Sequence, residues 1–370
     1  MKFLLASSAT GGHLYPALAV ADRIRARDAG AGILFVGGAE DIGRDLVGEA
    51  GYPVARIDAH GLDRRNAFKA LISLMHFLRA ARQARHILRS FEPDAVLGTG
   101  GYVVAPVARE AKRLGIRVYL QEQNVLPGLA NRISERYADK VFLGFAEAAP
   151  AFKDRAKLVY TGNPIRTAIF SAPAARAALR GRFGIPESDR AVLLFGGSQG
   201  ADAVNAAGVE AICALSRYEG LHFFFVTGQR MYGEVAGEIA HRLGVIPARI
   251  HVIPYADAIW EYYAACDLIA ARAGALTVSE IAACGKPSIL LPSPNVTNDH
   301  QYYNAKALAD VGAAVIMRDE EMAGGGLARG IEGLLRDEAR LEQMGVAAAR
   351  AAKPGAAEEI ADGLFGTGPS

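Results

Sequence analysis

Two α/β domains, each a doubly wound parallel sheet with helices on both faces, are predicted from the chain length, from alternating apolar runs and helical segments, and from a layout that restarts half-way. At 370 residues the chain exceeds the size at which one hydrophobic core stops growing, so two domains are expected. Short apolar runs separated by helical periodicity indicate βαβ units, whose crossover helices cover a parallel sheet.

The first run, Phe3–Ala6 in "MKFLLASSA", reads as a strand. Its apolar stretch is shorter than the about 7 to 15 residues of an export-signal core. Gly11-Gly12 then break the run before the helical pattern of "LYPALAVADRI". Strands follow at Ile33–Val36, Ala95–Leu97, Val118–Leu120 and Val141–Leu143. In the second half they fall at Val192–Phe195, Phe223–Val226, Leu268–Ala270 and Ser288–Leu291. Gly and Pro interrupt the pattern in "VYTGNPIR", Val159–Arg166, and place the boundary between domains 1–163 and 164–346. Beyond it "AVLLFGGSQGADAVNAA" repeats the opening layout, so two similar halves facing across a cleft are expected. Only the end from Gly366 looks flexible.

No apolar run approaches the about 20 residues that span a bilayer. Cys213, Cys266 and Cys284 match neither a disulfide framework nor a metal-ligand spacing, and read as buried apolar residues in a reducing compartment. The net charge of +2 hides an asymmetry: residues 1–163 hold 23 Lys+Arg against 16 Asp+Glu, the remainder 18 against 23. The basic half is the one expected to meet an anionic partner.

Four strand-to-helix turns are built of small residues: Ser7–His13, Gly98–Tyr102, Gly196–Gly200 and Arg272–Ala275. At the carboxyl ends of strands, such turns bring backbone N–H groups to an anion at a helix N-terminus. Four of them, two per half, indicate phosphate groups bound between the domains. No turn has a phosphate-loop lysine or a dinucleotide fingerprint, which disfavours nucleotide hydrolysis and hydride transfer. His13 stands at a helix start, whose positive end favours a neutral, proton-accepting ring, as a general base requires. The alternative is a histidine that hydrogen-bonds its own loop. Glu122 follows a strand directly and is read either as a group acting on a substrate hydroxyl or as a cap for the next helix; Asn124 shares its loop. In "ARAGALTVSEIAACGKP", Thr277 and Glu280 have capping-box spacing. If the helix starts nearer Ala275, Glu280 is placed to accept from ribose hydroxyls and Arg272 to meet a diphosphate. There is no D-x-D, so helix N-termini and arginines would have to neutralise a departing diphosphate.

"RRNAFKALISLMHFLRAARQARHILRS" holds seven basic residues and no acid, with Phe68, Leu71, Ile72, Met75 and Leu78 at helical spacing. It fits either a face laid on an anionic bilayer, with Lys69, Arg79 and Arg82 at its rim, or an ordinary core-facing helix with a solvated basic side. No aromatic residue interleaves with the arginines in the pattern of a stacking platform, so nucleic acid is not the expected partner.

With "TGGHLYPALAVA", "GTGGYVVAP", "QEQNVLPGLANR", "GNPIR", "GGSQGA", "RAGALTVSEIAACGKPSILLP" and "NDHQYYNA" in this order over residues 10–304, the chain resembles the MurG family. These enzymes transfer N-acetylglucosamine (GlcNAc) from UDP-GlcNAc to undecaprenyl-pyrophosphoryl-N-acetylmuramyl-pentapeptide in peptidoglycan synthesis. The resemblance implies a GT-B architecture of two Rossmann-like domains, the first closed by a C-terminal helix over about 347–370. By motif, it implies donor contacts from Thr10, Gly11, Gly12, Asn124, Arg166, Ser198, Gln199, Gly200, Ala256, Arg272, the run Ala275, Leu276, Thr277, Val278, Ser279 and Glu280, and Gln301. Acceptor contacts are implied for Gly11, Gly12, His13, Gly100, Gly101, Tyr102 and Asn124.

The implied chemistry is inverting, with His13 the first choice for base and Glu122 the second, and with no essential cofactor or metal. The implied partners are UDP-GlcNAc, the lipid-linked pentapeptide and anionic inner-membrane lipids, and the implied location is peripheral, on the cytoplasmic face of the bacterial membrane. Ser8 and Ala9 stand where the family has glycines, and His300 where many members have glutamine. The competing readings are a diacylglycerol glycosyltransferase of the same superfamily and a UDP-GlcNAc 2-epimerase-like enzyme.

Overall fold

The computed structural model describes residues 1–38, 44–60 and 67–367, with residues 44–45 and 67–72 as backbone only. The chain forms two compact units, Met1–Arg166 with Lys353–Ser370 and Thr167–Ala352. The first contains β1 (Lys2–Ser7), β2 (Gly32–Gly38), β3 (Val54–Ile57), β4 (Ala95–Gly100), β5 (Arg117–Glu122), β6 (Lys140–Leu143) and β7 (Leu158–Tyr160). The second contains β8 (Arg190–Phe195), β9 (Leu221–Val226), β10 (Ile250–Ile253), β11 (Leu268–Ala271), β12 (Ser288–Leu290) and β13 (Ala314–Ile316).

All pairings are parallel, in the orders β3-β2-β1-β4-β5-β6-β7 and β10-β9-β8-β11-β12-β13. Each sheet is doubly wound, and together they give the GT-B architecture. All nine expected strands are present. The four that were not expected, β3, β7, β10 and β13, are the edges of the two sheets. They are only partly buried, so the continuous apolar run that marks a central parallel strand is missing.

Alternation along β1 sends Phe3 and Leu5 to one face and Leu4 and Ala6 to the other. The first face packs on Leu14, Ala17, Val20, Ala21 and Ile24 of the Gly11–Arg27 helix and on Ile360, Ala361 and Leu364 of the last helix, Ala356–Phe365. Phe365 meets Phe3 edge-on at 4.9 Å between ring centroids, and Arg27 covers its other side at 4.6 Å. Return to the first unit begins at Lys353 rather than Ala347, because Leu341 and Met344 of the Glu338–Ala351 helix are buried in the second unit's core. Cys266 and Cys284 are buried and their thiols are pushed up to about 12 by that burial.

Candidate active site

The four small-residue turns follow β1, β4, β8 and β11. These are adjacent pairs, β1 beside β4 and β8 beside β11, where strand order reverses in each sheet. In doubly wound sheets that reversal opens the crevice in which ligands bind. Parallel pairing thus brings turns about 90 residues apart in sequence to one place in the first unit, and turns about 75 apart in the second.

In the first unit, the helix starts at Gly11 with Thr10 as N-cap, no side-chain cap bond and no acid in its first turn. The Thr10 hydroxyl is turned instead to His13, with Oγ1 2.9 Å from Nδ1, while Ser8 Oγ lies 2.8 Å from the same nitrogen. His13 therefore does hydrogen-bond its own loop, and that bonding orients the ring. Either hydroxyl accepts from Nδ1–H in the tautomer that leaves the lone pair on Nε2. Ser8 and Ala9 are absent from the positive-φ residues, so the opening loop has no need of glycine there. The backbone constraint falls on the facing turn: Gly100 has φ +127° and Gly101 φ +87°. A Cβ on Gly100 would lie 2.3 Å from His13 Cδ2, and one on Gly101 2.3 Å from Ser8 Cβ. Gly100→Ala is expected to push the ring aside and lower turnover by on the order of tenfold, measured as kcat with the fold checked by circular dichroism. Gly12 is exposed with open space around it, Tyr102 is exposed, and Arg166, in the first unit, lies over the Tyr15 ring at 5.1 Å.

Glu122 is corrected. Its carboxylate is buried and accepts from Asn124 N–H at 2.9 Å, Asn124 Nδ2 at 3.3 Å, Gly128 N–H at 3.1 Å and Asn131 Nδ2 at 2.9 Å. Burial pushes the carboxyl above the ordinary carboxylate range, against the pull of those donors. A buried carboxylate held by four donors from residues 124–131 braces that segment, as the cap reading expected. Asn124 is half-buried in that loop.

In the second unit, Gly197 and Gly200 have φ +96° and +75°, and a Cβ on Gly200 would lie 2.2 Å from the Thr227 carbonyl oxygen. This presses the loop onto the end of β9 and leaves Ser198 and Gln199 exposed at its tip. The next helix is Ala275–Ala283 with Gly274 as N-cap, no side-chain cap and no acid in its first turn. Thr277 and Glu280 therefore make no capping box. Glu280 accepts from Tyr263 Oη at 3.1 Å. Ala275 and Val278 face the core and Leu276 and Thr277 are half-buried, so Ala275 and Val278 offer a ligand their backbone only. Ser279 donates to Ala275 O at 3.0 Å. Gln301 Oε1 accepts from Ser293 N–H at 2.9 Å, and Ala256 is half-buried after β10.

Arg272 is also corrected. It is buried, pairs with both oxygens of Asp319 at 2.6 and 3.1 Å, and donates to Leu291 O and Pro292 O at 3.1 Å each. These bonds tie β11 to the chain beyond β12 and turn the guanidinium inward, not out toward a diphosphate. Asp319→Ala is expected to cost about 2 kcal/mol, since two carbonyls still accept from the buried cation, and to show as a lowered unfolding midpoint in thermal denaturation.

The N-terminal domain of glycosyltransferase family 28 matches residues 3–143 and its C-terminal domain residues 191–360. The chain belongs to glycosyltransferase family 28. It is 39% identical over 97% of its length to a Caldicellulosiruptor saccharolyticus protein, covering 96% of it, and 38% identical over 98% to one from Desulforudis audaxviator, covering 97% of it. Both are named UDP-N-acetylglucosamine–N-acetylmuramyl-(pentapeptide) pyrophosphoryl-undecaprenol N-acetylglucosamine transferase. Among solved structures it is similar to Acinetobacter baumannii MurG, with a TM-score of 0.78 at 30% identity and 99% of each chain covered. A Neisseria meningitidis UDP-GlcNAc 2-epimerase bound to UDP-GlcNAc shares the fold, with a TM-score of 0.70 at 14% identity, 99% of this chain and all of that one being covered.

Two features of this family 28 chain were not singled out from its sequence. Asn163, Gln121 and Gln123 form a buried amide network: Gln121 Nε2 donates to Asn163 Oδ1 at 3.0 Å, Asn163 Nδ2 to Gln123 O at 3.0 Å, and Gln123 Nε2 to Thr99 O at 2.6 Å. It braces the ends of β4 and β5, and the Asn in "GNPIR" was its only signal. Asn298 and Asp299 hold consecutive left-handed conformations, φ +57° and +52°, before the His300–Ala309 helix. His300 is half-buried and its Nδ1 lies 3.0 Å from Thr297 O.

In the Ala67–Phe91 helix, the side chains of Phe68, Lys69, Leu71 and Ile72 lie outside the described residues. Its later turns bury Ala80, Ala81, Ala84 and Leu88, whereas Leu74, Met75 and Leu78 are exposed, Met75 by 63%. Arg79 and Arg82 are exposed beside them. Among the described residues, no helix is long and apolar enough to cross a membrane.

Proposed function

We propose that the protein transfers GlcNAc from UDP-GlcNAc to the C4 hydroxyl of undecaprenyl-pyrophosphoryl-N-acetylmuramyl-pentapeptide. The observation that carries this reading is the His13 ring, set by two hydroxyls at an uncapped helix N-terminus in a chain matched end to end by transferases of that name. The second unit holds the donor, with the N-terminus of the Ala275–Ala283 helix toward the diphosphate, Glu280 toward the ribose and Gln301 toward the sugar. The first unit holds the acceptor, its diphosphate at the Gly11-Gly12 turn and at Gly100, Gly101 and Tyr102. His13 Nε2 takes the C4 hydroxyl proton as the oxygen attacks the anomeric carbon. The bond from that carbon to the UDP oxygen breaks, UDP leaves with the electron pair, and the α configuration becomes β. Helix N-termini, with no essential metal, stabilise the departing charge.

Leu74, Met75 and Leu78, rimmed by Arg79 and Arg82, support peripheral docking on the anionic cytoplasmic face of the membrane that carries the acceptor. Incubation of the purified protein with labelled UDP-GlcNAc, with and without a short-chain lipid-linked MurNAc-pentapeptide, tests the reading. Acceptor-dependent UDP release and a labelled disaccharide-lipid are expected. Epimerised donor without acceptor, or glycosylation of diacylglycerol alone, would overturn it.

A further inference from the structure

The end of β3 carries metal-ligating side chains that the transfer reaction does not use. β3 runs into a tight turn in which Ala59 N–H donates to Ile57 O at 2.9 Å. Asp58 N–H donates to Gln83 Oε1 at 2.7 Å, which fixes Asp58 against the Ala67–Phe91 helix. His60 Nε2 lies 2.6 Å from Asp58 Oδ1, and His76 Nδ1, from the helix, lies 4.0 Å from Asp58 Oδ2. That His76 nitrogen is buried without a hydrogen-bond partner. The two imidazoles meet edge to face at 4.6 Å, and the three donor atoms lie within 4.8 Å of one another.

We propose that Asp58, His60 and His76 form a binding site for a divalent cation of the zinc class. Two imidazole nitrogens and a carboxylate suit Zn²⁺ in a tetrahedral site with water as the fourth ligand, whereas Mg²⁺ prefers oxygen donors alone. Tetrahedral ligands about 2.0–2.2 Å from a metal lie roughly 3.4 Å from one another, so His60 Nε2 and Asp58 Oδ1, now 2.6 Å apart, open slightly as His76 Nδ1 closes in from 4.0 Å.

Arg79 Nε lies 3.3 Å from Asp58 Oδ2 and supplies positive charge there. Its side chain is 68% exposed and free to swing into water, so a metal displaces it from the carboxylate. The competition has a consequence opposite to that of a simple ion-pair network: loss of Arg79 tightens metal binding. β3 is an edge strand, with β2 between it and β1, so the site is distinct from the His13 turn.

The test is calorimetric titration of the full-length protein with Zn²⁺ at neutral pH, with Co²⁺ as a spectroscopic probe. One ion per chain at micromolar affinity and a visible Co²⁺ band are expected. His60→Ala and His76→Ala should each weaken binding by more than about tenfold, Arg79→Ala should tighten it, and His241→Ala, at an exposed histidine elsewhere, should leave it unchanged. Saturating Zn²⁺ should raise the unfolding midpoint by on the order of 3 °C. Failure of the wild-type protein to bind, binding that survives both His60→Ala and His76→Ala, or weaker binding in Arg79→Ala would each overturn the proposal.

Discussion

His13→Ala lowers kcat by about 10²- to 10⁴-fold, the range for loss of a positioned general base, and leaves the dissociation constant of UDP-GlcNAc within about twofold. The split follows from position. Removing a group that takes a proton only as the acceptor oxygen attacks removes an interaction confined to the transition state. Two hydroxyls, Ser8 Oγ and Thr10 Oγ1, share the orienting of Nδ1, so losing one leaves the other in place. Ser8→Gly, which restores the residue usual in the MurG family, should therefore reduce kcat severalfold while Ser8→Gly with Thr10→Val approaches the His13→Ala level. Single-turnover kinetics with saturating donor measure both. Near-normal turnover in His13→Ala would remove the histidine from the chemistry altogether, and the hydroxyl pair would then be a loop constraint only.

The central strands were legible because strands buried on both faces leave continuous apolar runs, as in "LLFGG" after Val192 or "HFFFV" before Thr227. Edge strands leave no such run, and β3, "VARI", is only partly buried, with Ile57 its one fully buried residue. The glycine turns were legible as turns, but which glycine has a steric reason was not. The positive φ values belong to Gly100 and Gly101, of which Gly100 comes against His13 and Gly101 against Ser8. That contact joins residues that are neighbours only because β1 pairs with β4. Arg272 and Glu122 show the same limit from the other side. A charged residue at a strand end looks available until its partners are known, and Asp319 and Asn131 lie on different elements with no periodic relation to them. Asp58, His60 and His76 gave no metal spacing for the same reason, since the third donor comes from a helix that packing alone brings to β3.

Glu122→Ala is expected to destabilise the first unit by about 3–5 kcal/mol, the range for removing one partner of a buried charged cluster, and to lower its unfolding midpoint by on the order of 10 °C. Four donors from Asn124, Gly128 and Asn131 converge on this one side chain. Truncation leaves them facing a cavity away from water, where each unmade bond costs about 1–3 kcal/mol before the loop relaxes. Glu122→Gln separates bracing from catalysis. Its amide oxygen still accepts at one side, while its NH₂ meets donors at the other, so the destabilisation should fall to about half that of the alanine variant. A brace predicts that kcat follows the folded fraction, with glutamine the better of the two. A base predicts that glutamine, which cannot take a proton, is as inactive as alanine even where the protein is fully folded. Turnover measured well below the midpoint of each variant, beside its melting curve, decides between them, and equal inactivity of two folded variants would return Glu122 to the chemistry.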